Sequence, residues 1–302
     1  MAPRIAVVAA GAMGAAVGKR LTSAGCTVFT TLEGRSSGTR KRAEDAGMQD
    51  ATLSHIAKNA DWVLSILPPS EAYAFAKSFL EVYPSGQTRE VGFADCNAVS
   101  TGTIKRIRDL FEGTGIKFID AGIIGGPPRE NYDPTFYASA DSEEVLNSFV
   151  ELNKYGMKIK PLIGEGSGIG DASALKMSYA GIQKGLTGLT TTVILAAHAS
   201  SPATAQALIS EMSLSQPALL QRTTKSIPDM LPKAYRWVGE MEEISAFVGE
   251  SGENNIHKGL ASTFARVEKS LKGDNADVEV LKDFVERAKK VLAEREGGPD
   301  KT

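Results

Sequence analysis

Short apolar runs alternate with amphipathic stretches along the first half of the chain, and then the runs stop. They fall at residues 5–10, 27–31, 62–67, 91–94, 116–119, 136–140 and 157–163, each bounded by glycine, proline or polar residues. Runs of this length and setting predict buried strands. Their alternation with helical periodicity predicts a largely parallel, doubly wound sheet, with antiparallel pairing open to the last two strands. From about Ser167 the helical period takes over, beginning with a long helix over 167–198. Further helices are predicted over 202–212, 216–224, 238–249, 253–271 and 278–294, with Pro217, Pro228, Pro232 and Gly273 as breakers.

The length of 302 residues exceeds the usual size of one hydrophobic core, so two domains are expected. Residues 1–164 form the first and residues 165–302 the second. The expected class is α/β: an N-terminal Rossmann sheet, then an all-α C-terminal domain, joined by the long interdomain helix. Residues 297–302 read as a polar, frayed tail.

Composition narrows the function classes. Lys and Arg number 34 against 36 acidic residues, without a long run of either sign, which argues against a nucleic-acid surface. Small molecules are the expected partners. Two cysteines, Cys26 and Cys96, exclude a disulfide framework and leave no clustered zinc ligands. No apolar run has the length of a membrane span, and the first residues lack a signal-type pattern, so a cytoplasmic location is expected.

The first motif is a turn, Ala9-Ala10-Gly11-Ala12-Met13-Gly14, between the first strand and a helix predicted to end at Gly25. A missing Cβ at Gly11 lets backbone N–H groups approach a pyrophosphate, and the helix N-terminus offers it partial positive charge. The turn departs from the full dinucleotide fingerprint, with Ala9 at its first glycine. Gly11, Ala12, Met13 and Gly14 are the candidate diphosphate residues. Glu33, 19 residues after Gly14, stands where a carboxylate would accept from ribose hydroxyls. Arg35, Ser36, Ser37, Arg40 and Lys41 follow it and can clamp a 2′-phosphate, so NADP is expected and NAD is possible. Leu67-Pro68-Pro69 and the loop from Asp95 through Asn97 to Ser100 end the next strands, where open sheets bind ligands. Residues 120–128, with Gly125 and Gly126, are predicted as a further loop whose amides can hold a carboxylate.

Lys176 is the candidate for chemistry. It shares a helix face with Ser173, Tyr179, Ala180 and Lys184 after a glycine-rich entry at residues 164–170. Reduction of a carbonyl needs a proton for the forming alkoxide, and a partly buried lysine with a lowered pKa supplies one. His55, His198 and His257 lack metal-like spacing and read as packing or surface residues, and no metal is expected. Glu240, Glu242 and Glu243 read as a solvated helix face.

The order of the Gly-x-Met-Gly turn, Pro68-Pro69, Asp120-Ala121 with Gly125-Gly126, and Gly168-x-Gly170 before Lys176-Met177 resembles the β-hydroxyacid dehydrogenase superfamily. That group includes 3-hydroxyisobutyrate dehydrogenase, 6-phosphogluconate dehydrogenase and the imine reductases. The second half, with Lys176 to Ala180, Lys184-Gly185 and Trp237 through Ile244, is more similar to a phosphogluconate-dehydrogenase-like branch of undefined substrate. The resemblance implies an NADP-preferring oxidoreductase of a small carbonyl or hydroxy-acid substrate, forming a homodimer through its helical domain. It implies Lys176 as general acid/base, Asn97 as a substrate-orienting group near the nicotinamide, and Gly125 and Gly126 at the substrate carboxylate; Tyr179 is expected as a replacement substrate-orienting donor, and Lys184 and Ser100 are expected around the substrate. Two positions depart from the pattern: Ile124 stands where serine is usual, and Ala180 replaces an asparagine. Imine reductase or reductive aminase chemistry, and an NADP-binding protein without turnover, are the alternative readings.

Overall fold

The computed structural model describes residues 2–84, 86 and 89–296. The tail predicted over 297–302 lies outside them. The chain divides into two compact units, Met1–Ser178 and Tyr179–Thr302.

The first unit is built on an eight-stranded sheet of order β3-β2-β1-β4-β5-β6-β7-β8. Its strands are β1 (Arg4–Val8), β2 (Thr27–Thr30), β3 (Gln49–Asp50), β4 (Trp62–Ser65), β5 (Gly92–Asp95), β6 (Lys117–Ile124), β7 (Thr135–Ser139) and β8 (Ile159–Pro161). The first six are parallel; β7 pairs antiparallel with β6, and β8 runs parallel to β7. The two-residue β3 escapes a periodicity reading because both of its side chains are exposed. Six helices connect the strands: α1 (Ala12–Ser23), α2 (Ser37–Asp45), α3 (Leu53–Asn59), α4 (Pro69–Glu81), α5 (Thr101–Asp109) and α6 (Glu143–Val150). Ser36, Thr52, Ser100 and Ser142 each cap a following helix by accepting its third amide. Gly25, at φ +88°, takes the left-handed position expected after α1.

Both sheet faces are covered, and the pleat sorts the strand residues between two cores. Ile5, Val7, Val28, Leu64 and Ile119 pack on one side, and Ala6, Phe29, Val63, Phe93 and Phe118 on the other. Strand order reverses between β2-β1 and β4-β5, which places a ligand crevice at the carboxyl ends of β1 and β4.

The unbroken helix α7 (Asp171–Ser200) carries the chain from the first unit into the second. Its first turns pack on β6 at Gly122, where a Cβ would lie 2.7 Å from the Ala172 carbonyl oxygen. Residues 120–124 are therefore strand rather than the predicted loop: the polar Asp120 interrupts the apolar run without ending the strand.

The second unit is helical: α8 (Pro202–Ser215), α9 (Pro217–Met230), α10 (Ala234–Gly249), α11 (Asn255–Lys272) and α12 (Ala276–Glu296) follow α7. Pro202 and Pro217 occupy first-turn positions, where a missing N–H costs nothing. Pro228, predicted as a breaker, lies inside α9, which continues to Met230 before a 3-10 turn at Leu231–Lys233. Trp237 meets Phe264 edge-on at 5.1 Å in the core of this unit. No helix among the described residues is long and apolar enough to cross a membrane.

Candidate nicotinamide-dinucleotide site

The turn between β1 and α1 contains two glycines with different reasons to be glycine. A Cβ on Gly14 would lie 2.0 Å from the Ala9 carbonyl oxygen and 3.5 Å from Val7, so the helix can approach the strand only without one. Gly11 has φ −68°, and a Cβ added to it would meet no atom within 4 Å. Neither its backbone nor the packing of the chain requires glycine there, and the open space beside it leaves room for a closely approaching ligand. Gly11 is also the N-cap of α1 and provides no side-chain cap. The amides of Ala12, Met13 and Gly14 point out of the helix N-terminus, as a diphosphate requires. These residues fit a dinucleotide.

Beside this turn, the segment after β2 is braced by its own side chains. Leu32 N–H donates to Asp50 Oδ1 at 3.0 Å, and Arg40 donates to the carbonyls of Leu32 and Arg35 at 2.6 and 3.3 Å. Arg40, predicted as a phosphate ligand, is thus committed to the loop backbone. Ser36 caps α2, Glu33 is exposed, and Arg35 reaches Glu71 of α4 at 3.8 Å. Arg42, absent from the predicted set, donates from Nε to the Ala10 carbonyl at 3.2 Å and from Nη2 to Thr39 Oγ1 at 3.0 Å. It therefore joins α2 to the glycine turn. Its position three residues beyond Thr39 and six beyond the Ser36 cap, on one helical face, was the available signal.

At the ends of β4 and β5, Asn97 ties the loops together. Its Oδ1 accepts from Leu67 N–H at 2.5 Å, and its Nδ2 donates to Ser65 Oγ and Asp95 Oδ2, both at 2.9 Å. Both amide protons are therefore engaged: Asn97, predicted to orient the substrate and to line the cofactor site, holds the Leu67-Pro68-Pro69 loop, whose Pro69 opens α4. Ser100, predicted near the substrate, is 3% exposed and uses its hydroxyl at the N-cap of α5.

Two buried carboxylates lie side by side on neighbouring strands, Asp95 on β5 and Asp120 on β6. Burial pushes the Asp95 carboxyl up to about 7, opposed by the Asn97 hydrogen bonds and reinforced by the charge of Asp120. Burial also raises Asp120, opposed by its hydrogen bonds. Burial and both carboxylates raise the Cys96 thiol. Asp120 accepts four hydrogen bonds: from Gly170 N, Ser173 N and Ser139 Oγ on Oδ2, at 3.0, 3.0 and 3.2 Å, and from Ser173 Oγ on Oδ1, at 2.7 Å. The carboxylate closes the N-terminus of α7 from a neighbouring strand, satisfying amides that a helix leaves unpaired.

Two turns into α7, Lys176 is half-buried and its Nζ donates to the Ile123 carbonyl at 2.6 Å. The amine therefore sits at the carboxyl end of β6. Gly125, at φ +128°, and Gly126 follow within three residues. Gly126 N–H donates to Tyr132 Oη at 3.2 Å.

The predicted residues beyond Lys176 fall in the second unit. Tyr179 is 45% exposed. Lys184, predicted at the substrate, is half-buried in an ion pair with Glu240 and lies 5.5 Å from the Trp237 ring centroid. Glu240 itself is 5% exposed and also binds Arg236, so it is no part of a solvated face. Fifty-six residues separate Lys184 from Glu240, and a charge pattern along one helix does not reveal such a partner. His257 lies near Gly181 and Gly185 of α7, and burial lowers its pKa.

A family model described as the NAD binding domain of 6-phosphogluconate dehydrogenase matches residues 4–164, and a domain of unknown function, DUF1932, matches residues 199–267. The mitochondrial 3-hydroxyisobutyrate dehydrogenase of Drosophila melanogaster is 31% identical over 110 residues, which span 36% of this chain and 33% of that protein. A conserved protein of unknown function, described as structurally similar to 3-hydroxyacid dehydrogenases, superposes with a TM-score of 0.64 at 25% identity, covering 88% of this chain and 97% of its own. The fold is shared by a Mycobacterium tuberculosis 3-hydroxyisobutyrate dehydrogenase with L-serine (TM-score 0.63, 17% identity, 96% of this chain and 99% of that one). It is shared too by an Aspergillus terreus reductive aminase with NADPH and ethyl-5-oxohexanoate (TM-score 0.55, 16% identity, 94% and 100%). With residues 4–164 matched, more than half its length, the chain belongs to the family of the NAD binding domain of 6-phosphogluconate dehydrogenase, within the β-hydroxyacid dehydrogenase-like superfamily.

Proposed function

We propose that the protein is an NADP(H)-preferring dehydrogenase or reductase of a small hydroxy-acid or carbonyl substrate, with Lys176 as its general acid/base. The observation that carries this reading is the place of Lys176: Nζ is held on the Ile123 carbonyl at the carboxyl end of β6, in the same compact unit as the Gly11–Gly14 turn. The amides of Ala12, Met13 and Gly14 hold the diphosphate, while Arg35, Ser36, Thr39 and Arg42 surround the ribose phosphate. Arg40 keeps their loop in shape. When bound, the nicotinamide supplies a two-electron acceptor or donor. Lys176 Nζ gives a proton to the substrate oxygen in the reductive direction and takes the hydroxyl proton in the oxidative one. Asn97 holds the loop that borders the reacting groups, and the Gly125–Gly126 segment, its Gly126 amide engaged by Tyr132 Oη, borders a polar end of the substrate.

A homodimer is part of the same reading. Tyr179, Ile182, Leu189 and Val193 of α7 are 45%, 63%, 54% and 43% exposed and recur at helical spacing, an apolar stripe that a second copy would cover. The test is a panel of small oxo acids, aldehydes and ketones, with and without an amine, followed by NADPH oxidation. Turnover of an oxo acid or aldehyde without an amine is expected. Turnover that requires an amine would replace this reading with imine reduction, and NADPH binding without turnover would replace it with a cofactor-binding protein.

A further inference from the structure

Residues 123–126 form a short segment with no polar side chain: Ile123, Ile124, Gly125 and Gly126. Its carbonyl end is occupied by Lys176 Nζ on Ile123, and its amide end by Tyr132 Oη on Gly126. An ammonium and a phenol thus flank a four-residue stretch of backbone.

The phenol is held in place from several directions. Arg129 and Tyr132 exchange backbone hydrogen bonds of 2.8 and 3.2 Å, a closed two-residue turn at the tip of the loop. Arg20 of α1 ties that loop down on both sides of Tyr132, donating to the Arg129 carbonyl at 2.8 Å and pairing with Asp133 at 2.8 Å. Gly125 is shaped to receive it: at φ +128°, a Cβ there would lie 2.1 Å from Tyr132 Oη. Glycine at 125 therefore serves the backbone and the phenol together.

We propose that Tyr132 is a substrate-orienting residue, its hydroxyl supplying the donor to a substrate carboxylate that the side chain of Ile124 lacks. The Gly126 amide occupies one lone pair of the phenol oxygen, which leaves the O–H proton to be donated outward and strengthens it as a donor. The Lys176 ammonium on the same segment favours an anionic group beside it. A carboxylate on a small hydroxy or oxo acid meets both requirements, whereas a neutral carbonyl compound offers the phenol an acceptor and the ammonium no charge. Tyr132 is 45% exposed, so the ring carries no core that its removal would collapse.

The inference rests on the proposed reaction site, and its test is separable from turnover. The probe is 2-hydroxy-2-methylpropanoate, whose carbinol carbon has no hydrogen to transfer, titrated by calorimetry into the full chain loaded with NADP. Its uncharged amide serves as the control ligand. Tyr132→Phe is expected to weaken the acid by roughly 10- to 100-fold, the range for a hydrogen bond to a charged group, while affinity for the amide and for NADP changes less than about threefold. Equal weakening of acid and amide, unchanged affinity for the acid, or no binding of the acid by the unaltered protein would overturn the proposal. Acid binding that depends on Tyr132 in a protein that reduces no carbonyl would leave it standing and defeat the redox reading alone.

Discussion

Removing the carboxylate of Asp120 is expected to loosen the start of α7 and cost about 3–5 kcal/mol of stability, the range for breaking a buried charged network. The figure follows from what Asp120→Ala leaves behind. Gly170 N–H, Ser173 N–H and the hydroxyls of Ser139 and Ser173 all lose their acceptor, and each of these residues is buried. A buried donor without a partner costs about 1–3 kcal/mol, and the sum is reduced because the charged carboxylate no longer has to be desolvated. Asp120→Asn separates the hydrogen bonds from the charge. Its amide oxygen, placed where Oδ2 now lies, keeps three of the four bonds, and its NH2 donates to a rotated Ser173 hydroxyl. Only the interaction of the negative charge with the helix N-terminus is lost, about 0.3–2 kcal/mol. Urea unfolding, read by far-ultraviolet circular dichroism, measures both differences. A loss under about 1 kcal/mol for the alanine variant, or equal losses for the two variants, would refute the view that this acid anchors the helix carrying Lys176.

Three further outcomes are expected. Gly14→Ala places a Cβ 2.0 Å from the Ala9 carbonyl oxygen and should lower both thermal stability and NADPH affinity, whereas Gly11→Ala, with open space around it, should lower affinity alone; fluorescence titration beside thermal melts distinguishes them. Asp95, raised to about 7 when folded against an ordinary value of 3.8, stabilises the fold at low pH, and that contribution is lost as pH rises from about 4 to 7. The stability of Asp95→Asn relative to the unaltered protein should therefore improve across that window, by at most about 1.4 kcal/mol per pH unit, and a flat difference in urea midpoints would contradict the shift. Lys184→Ala leaves buried Glu240 with Arg236 as its remaining partner and should cost about 1–3 kcal/mol without altering NADPH affinity; a parallel loss of affinity would return Lys184 to the ligand site.

The order of the elements was readable because burial on both faces writes β1, β4 and β5 as apolar runs, and Pro202 announces the start of a helix in the second unit. The placement of the glycine turn between a strand and a helix, and of Lys176 near the start of the long helix, was also legible, since the period of those elements is clear. What stayed hidden depends on contacts between distant residues. Asp120 reads as the end of a strand until Gly170 and Ser173, about fifty positions on, are seen to converge on it. Asn97 and Ser100 have the chemistry of substrate ligands, but local backbone donors use the same chemistry for loops and caps, and here they claim it. Lys184 reads as a substrate residue and Glu240 as a solvated charge because their pairing is visible only once α7 and α10 meet. Tyr132 sits in an irregular loop without periodicity, and only the strained Gly125 beside it hints at a close neighbour.

The central claim is that Lys176 moves the proton, and replacing it tests this directly. With the best substrate from the NADPH panel, Lys176→Ala should reduce kcat by about 10²–10⁴-fold, the usual contribution of a positioned general acid, with the NADPH Kd unchanged. The alanine variant should also lose the limb of the kcat/KM pH profile that belongs to the amine. A variant that keeps kcat within about threefold of the unaltered enzyme, with the same pH profile, would contradict the account.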